Sequence, residues 1–238
     1  MRQLLPGASS IVIIVFTILV FSRYARRGGT HLLVWGIGLA MFGVVSLAEA
    51  YATVAWHQTV FRLWYLCGAV FSAAWLGQGT VFLLSRRNRL ARVTMVLVVV
   101  GSLVAAYLIL TTPLNAGRFD ARQSLSVQYR EILPKGATVR KLTPIFNIYG
   151  LVTLVGGALY SAWLLWRKEI VPNRVIGNIL IAIGGLSLAF ASTLVRLGIG
   201  DYLSVAELIA AMLMFAGFLL ATQKMPGARP VGTQEAIR

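Results

Sequence analysis

Long apolar runs, separated by short clusters of Gly, Pro and Arg, dominate the pattern of this chain. Runs of about 20 apolar residues can cross the hydrocarbon core of a bilayer as helices. Such runs occupy residues 8–22, 31–55, 60–84, 92–112, 145–166, 174–197 and 202–222. They lack the period-two alternation of a membrane β-barrel. The pattern therefore predicts an all-α integral membrane protein, a seven-transmembrane helix bundle over residues 1–222.

One connection, residues 113–143 between the fourth and fifth segments, is much longer than the others. Apolar and polar residues alternate over Ser124–Leu133, a Pro134-Lys135-Gly136 turn follows, and Thr138–Leu142 resembles a returning strand. This pattern predicts an extracellular β-hairpin over the mouth of the bundle. An irregular solvated loop is the alternative. The Pro- and Gly-containing residues 223–238 are expected to form a disordered cytoplasmic tail.

The distribution of charge predicts the orientation of the bundle in the membrane. Charged residues make up only 12% of the chain, about half the fraction of a typical soluble domain. The short linkers after the first, third and fifth segments are rich in Arg and Lys, which mark the cytoplasmic side. We expect the N-terminus outside, the C-terminus inside, and a multi-pass location in the plasma (inner) membrane. Arg23, Arg26 and Arg27 follow the first run, whereas a cleavable signal peptide carries its charge before the run.

The formal net charge of +15 follows mostly from these linkers, which suit anionic lipid headgroups as partners. The sequence contains no basic groove interleaved with aromatic residues, so nucleic acid is not an expected partner.

A few ionisable and amide side chains lie at one level, in the outer half of the predicted bundle. They are Glu49, Arg62, Asn147, Arg196 and Glu207. Such residues are costly in a bilayer and are usually functional or paired. In one interpretation they line an outward-facing ligand pocket beneath the long connection. In the other, Glu49–Arg62 and Glu207–Arg196 are structural pairs that hold the helices in register.

The third segment adds an aromatic face. Trp64, Phe71, Trp75 and Gln78 follow steps of seven, four and three residues, so they share one side of a helix. This face either lines an apolar ligand pocket or packs against neighbouring helices. The predicted ligand-binding residues are therefore Glu49, Arg62, Trp64, Trp75, Gln78, Asn147, Arg196 and Glu207.

Several chemistries have no support in the sequence. Cys67 is the single cysteine, and His31 and His57 lie near opposite faces of the predicted bundle, so neither a metal site nor bis-histidine haem ligation is expected. The seven segments contain no lysine that could form a Schiff base with retinal. HExxH, GxSxG and Walker motifs do not occur. We therefore predict no catalytic residue and no cofactor, and we do not expect an enzyme.

Diffuse local patterns suggest a family. Ala48-Glu49-Ala50, Phe61-Arg62-Leu63-Trp64-Tyr65, Asn147-Ile148-Tyr149-Gly150 and Asp201-Tyr202-Leu203 stand near helix ends. Over about residues 8–222 the chain resembles the seven-transmembrane sensor region of some bacterial histidine kinases. The resemblance implies ligand sensing in the outer bundle, with Glu49 and Arg62 as candidates. A signalling domain follows the last helix in that family, but only residues 223–238 follow here, so kinase activity is not implied.

The sequence thus predicts a receptor-like membrane protein that senses a small or lipophilic ligand and signals through a separate partner protein at the cytoplasmic face. One alternative is a non-catalytic accessory subunit of a larger membrane complex. Another is a small-molecule transporter, against which the nearly uncharged inner half of the bundle counts.

Overall fold

The computed structural model describes residues 4–85, 88–169, 172–196 and 203–223. Asp201, Tyr202 and residues 224–238 of the predicted tail lie outside these ranges. The described residues form eight long or short α-helical elements, one 3-10 helix (Ala116–Arg118) and no strand. The helices are α1 (Leu4–Arg27), α2 (Thr30–Ala52), α3 (Gln58–Leu84), α4 (Asn88–Thr111), α5 (Leu125–Ile132), α6 (Val139–Arg167), α7 (Pro172–Arg196) and α8 (Leu203–Ala221).

The chain is an all-α, multi-pass membrane bundle. Six of these helices, α1 to α4 together with α6 and α7, are long and apolar enough to cross a membrane. The apolar stretch of α8, Val205–Ala221, is shorter. Short connections make successive long helices antiparallel. The end of the bundle that carries residues 112–138 is called the loop end below.

Helix α3 occupies the centre of the arrangement. It packs against α2, α4 and α6, while α1 packs against α2 and α8, and α7 lies between α6 and α8. Helix α4 lies at the periphery, where Leu97, Leu103 and Tyr107 are exposed. Apolar side chains at the perimeter suit contact with lipid, because lipid tails offer no hydrogen-bonding partners to polar side chains.

Glycines set the closest helix crossings. A Cβ at Gly77 of α3 would overlap Thr153 Oγ1, and a Cβ at Gly150 of α6 would overlap the backbone of Ala73. Between α7 and α8, a Cβ at Gly177 would lie 2.5 Å from Ala221 N. Small residues let membrane helices approach in this way. The pairs α3–α6 and α7–α8 are therefore each held at short range.

Both α3 and α6 contain a π-helical turn. These turns cover Tyr65–Phe71 in α3 and Val152–Gly156 in α6. Polar side chains bond to carbonyl groups of the α3 turn, since Asn147 Nδ2 donates to Ala69 O at 3.2 Å and Ser72 Oγ donates to Cys67 O. Interruptions of this kind occur frequently at functional sites.

The predicted β-hairpin is wrong, because Ser124–Leu133 contains the helix α5 and Thr138 directly precedes α6. The apolar residues Leu125 and Ile132 are both buried, and their separation of seven residues places them on one helix face. The backbone N–H of Leu125 donates to Glu49 Oε1 at 2.9 Å. A carboxylate at a helix N-terminus stabilises the helix. A contact from α2 thus favours helix over strand here.

We predict that Gly150→Ala destabilises the bundle, whereas Gly156→Ala in the same helix does not. The added methyl group at residue 150 must displace the backbone of α3, and overpacking of this kind costs about 1–3 kcal/mol. At Gly156 a Cβ meets no atom within 4 Å. Thermal unfolding of the purified variants in detergent measures the difference. Equal melting temperatures would contradict the close crossing of α3 and α6.

Candidate functional site

A cavity of about 740 Å³ lies at the loop end, between α2, α3, α6, α7 and α8 and beneath α5. Its size falls within the usual range for small-molecule sites. Most of its wall is apolar. The deeper apolar lining includes Phe42, Val45, Leu76, Leu154, Val155 and Met214. The polar lining includes Ser126, Arg130, Lys135, Arg140, Asn147 and Glu207.

The cavity is elongated and reaches the side of the bundle. Its lining follows α6 from Arg140 to Val155, a distance of about 22 Å at 1.5 Å per residue. Ile148 and Leu151 line it while being 62% and 37% exposed. Helix α7 packs mainly against the second half of α6. The first half of α6 and the end of α7 therefore border a lateral opening.

Glu49 does not line this cavity but binds α5, the helix that covers it. In addition to the Leu125 N–H, the Ser126 N–H and the Trp64 side chain interact with its carboxylate. Arg62 Nη2 donates to Thr112 O at 3.3 Å, and within the described ranges it forms no ion pair with Glu49. In place of the Glu49–Arg62 pair of one interpretation, the two side chains make separate contacts, and each contact anchors the long connection.

Glu207 lines the cavity directly and is only 8% exposed. Among the described residues, no group hydrogen-bonds to its carboxylate. Glu49 is close enough to interact with it electrostatically. Arg196 ends α7, but its side chain lies outside the described residues, and so does its expected pairing with Glu207. The carboxyl group of Glu207 is thus placed to accept a hydrogen bond from a ligand.

Two residues of the predicted aromatic face serve packing instead. Trp75 Nε1 donates to Ser102 Oγ at 3.2 Å, joining α3 to α4. Gln78 is fully buried, donates to Ala91 O at 2.8 Å, and accepts a hydrogen bond from the Tyr149 hydroxyl. Since its amide is satisfied on both sides, Gln78 connects α3, α4 and α6 and does not face the cavity.

Trp64 does line the cavity, within an aromatic cluster that links α5 to α3. The ring of Tyr129 on α5 lies 6.2 Å from Trp64 and 6.3 Å from Tyr65, measured between centroids. The guanidinium groups of Arg130 and Arg140 lie 5.9 and 5.5 Å from the Tyr129 ring centroid. Aromatic and cation–π contacts each add about 0.5–1.5 kcal/mol, so this cluster holds α5 against the bundle.

Sequence reasoning missed the contribution of the long connection. Tyr129, Arg130, Lys135 and Arg140 all reach the cavity, although the sequence placed this segment in a hairpin. The one feature of the sequence that pointed to these residues was the density of basic residues in the long connection. Of the seven predicted site residues whose side chains the structure describes, Trp64, Asn147 and Glu207 line the cavity.

Comparison of the chain with protein-family models, curated proteins and solved structures finds no match. The resemblance to kinase sensor regions therefore stays a prediction.

We predict that Glu49→Ala loosens α5 while leaving the bundle folded. The variant removes the acceptor of the Leu125 N–H, and loss of an N-terminal cap costs about 0.5–2 kcal/mol. Hydrogen–deuterium exchange followed by mass spectrometry should show faster exchange in residues 125–132. Glu131→Ala is the matched control, because Glu131 is an exposed carboxylate on the same helix. Faster exchange in both variants would show that the effect is not specific to Glu49.

We predict that Tyr149→Phe lowers stability by about 1–3 kcal/mol, because the buried Gln78 amide oxygen loses its donor. Tyr160→Phe provides the control, since Tyr160 is 53% exposed on the same helix. Chemical unfolding in mixed micelles compares the two variants. A loss of equal size in both would contradict a structural role of the Gln78 network.

Proposed function

We propose that this protein is a receptor-like membrane protein that binds a lipophilic ligand in the loop-end cavity. The observation that carries the proposal is the elongated, mostly apolar cavity, which opens between α6 and α7 and is covered by α5. Apolar cavities with a few convergent polar groups are the usual form of small-molecule sites. A lateral opening supports a ligand that arrives through the lipid.

The proposal includes seven spans, with α8 as the seventh, and a loop end that faces outward. The short linkers at the opposite end support this orientation, because they carry Arg26, Arg27, Arg89, Arg167 and Lys168 and basic linkers mark the cytoplasm. In a bacterial cell the protein would then occupy the inner membrane, with the cavity in the outer half of the bundle.

The contacts of α5 supply a mechanism for sensing. Ser126 and Tyr129 line the cavity, while the neighbouring Leu125 binds Glu49 of α2 and the Tyr129 ring packs on α3. A ligand that contacts α5 would therefore favour one arrangement of α5, α2 and α3 over another. Such a shift requires different affinities for the two arrangements. A signalling partner at the basic cytoplasmic face would detect the change in α2 and α3.

We predict that Ala189→Trp abolishes ligand binding by filling the cavity. Ala189 lies on α7 and lines the cavity near its lateral opening. Native mass spectrometry of protein purified from its host membranes should show a stoichiometric lipophilic molecule in the unsubstituted protein, and little or none in the variant. The matched control is Ala216→Trp, because Ala216 is exposed on α8 and does not line the cavity.

The control variant should retain the bound molecule. Loss of the molecule from both variants, or retention in Ala189→Trp, would contradict the proposed site. Circular dichroism in detergent establishes that both variants remain helical.

A further inference from the structure

We propose that the ligand is a single-chain amphiphile with a zwitterionic headgroup, which enters sideways between α6 and α7 from the leaflet at the loop end. This inference rests on the proposed function and adds the chemical class of the ligand. Three features of the cavity carry it: its shape, the cations at its mouth, and the carboxylate on its α8 wall.

The shape favours an extended apolar chain. From the loop end the lining descends along α6 past Ile148 and Leu151 to Leu154 and Val155. A Cβ at Gly185 of α7 would lie 2.9 Å from Val155, so α6 and α7 are in close contact at the deep end. The space between this contact and the loop end is mostly apolar and open toward the perimeter. An acyl chain can enter through such an opening without crossing the polar headgroup region.

The mouth favours an anionic group. Arg130, Lys135 and Arg140 line the cavity at the loop end. Arg140 donates to Leu133 O at 3.2 Å and lies beside Tyr129, which holds its guanidinium in place. Lys135 is exposed and follows Pro134 in the turn before α6. A phosphate group between these side chains would accept charge-assisted hydrogen bonds, which are about twice as strong as neutral ones.

The α8 wall of the cavity favours a cationic hydrogen-bond donor on the ligand. Glu207 on α8 lines the same cavity and is more than nine-tenths buried. Within the described residues its carboxylate has no hydrogen-bonding partner. A buried carboxylate without a partner is costly, and an ammonium group on the ligand would satisfy it. A head that carries both phosphate and ammonium can pair with the basic side chains and with Glu207, whereas an anion alone leaves Glu207 unpaired.

The test compares three probes that share one palmitoyl chain and a glycerol unit. They are palmitoyl glycerol, which is uncharged, palmitoyl lysophosphatidic acid, which is anionic, and palmitoyl lysophosphatidylethanolamine, which is zwitterionic. The full-length protein is placed in phosphatidylcholine nanodiscs, and each probe competes with radiolabelled palmitoyl glycerol. We expect the zwitterionic probe to bind about tenfold more tightly than the anionic one, the effect of one charged hydrogen bond.

Two substitutions assign this preference to its residues. Glu207→Gln should remove the difference between the zwitterionic and anionic probes. Lys135→Gln should weaken both phosphate probes several-fold and leave palmitoyl glycerol unchanged. Lys141→Gln is the matched control for the second variant, because Lys141 is exposed on the first turn of α6 and does not line the cavity.

The inference is overturned if the anionic probe binds the unsubstituted protein as tightly as the zwitterionic one, or if Glu207→Gln leaves their difference intact. If Glu207→Gln fails to fold, the comparison of probes on the unsubstituted protein decides alone. The proposed function fails separately, when palmitoyl glycerol shows no saturable binding or when Ala189→Trp leaves its binding unchanged.

Discussion

The close crossing of α3 and α6 determines how the other helices can pack around them. Gly77 and Gly150 let the two backbones meet where a larger side chain would overlap the facing helix. Close contacts at Gly177 and Gly217 hold α7 against α8 in the same way. The α3–α6 pair and the α7–α8 pair are each closely packed, so the weaker packing lies between α6 and α7 near the loop end. The cavity occupies that position.

Some buried polar groups form hydrogen bonds within the bundle, whereas others are left without a partner among the described residues. Gln78, Trp75 and Asn147 each bond to another helix, as buried polar groups require. Glu49 is satisfied by the N-terminus of α5. Glu207 differs, because it faces a cavity and has no hydrogen-bonding partner among the described residues. This contrast separates Glu207 from the packing groups, which look similar to it in sequence.

Much of the site depends on a segment whose conformation the sequence pattern misrepresented. Period-two alternation over Ser124–Leu133 indicated a strand, yet residues 125–132 are helical. The deciding contact comes from Glu49, 76 residues away in sequence. Tyr129 then packs against α3, which brings Arg130 to the cavity. Local patterning carries no information about contacts at that separation, so short amphipathic segments remain ambiguous between helix and strand.

Long apolar runs without strand alternation are enough to predict an all-α membrane bundle, because in lipid their backbone polar groups are satisfied by hydrogen bonds within a helix. Helical rise converts sequence position into depth, so the sequence also placed Glu49, Asn147 and Glu207 at one level. Which of these side chains meets a cavity and which fills the interior follows only from the folded bundle. That distinction depends on helix rotation and crossing distance, which arise from packing between segments distant in sequence.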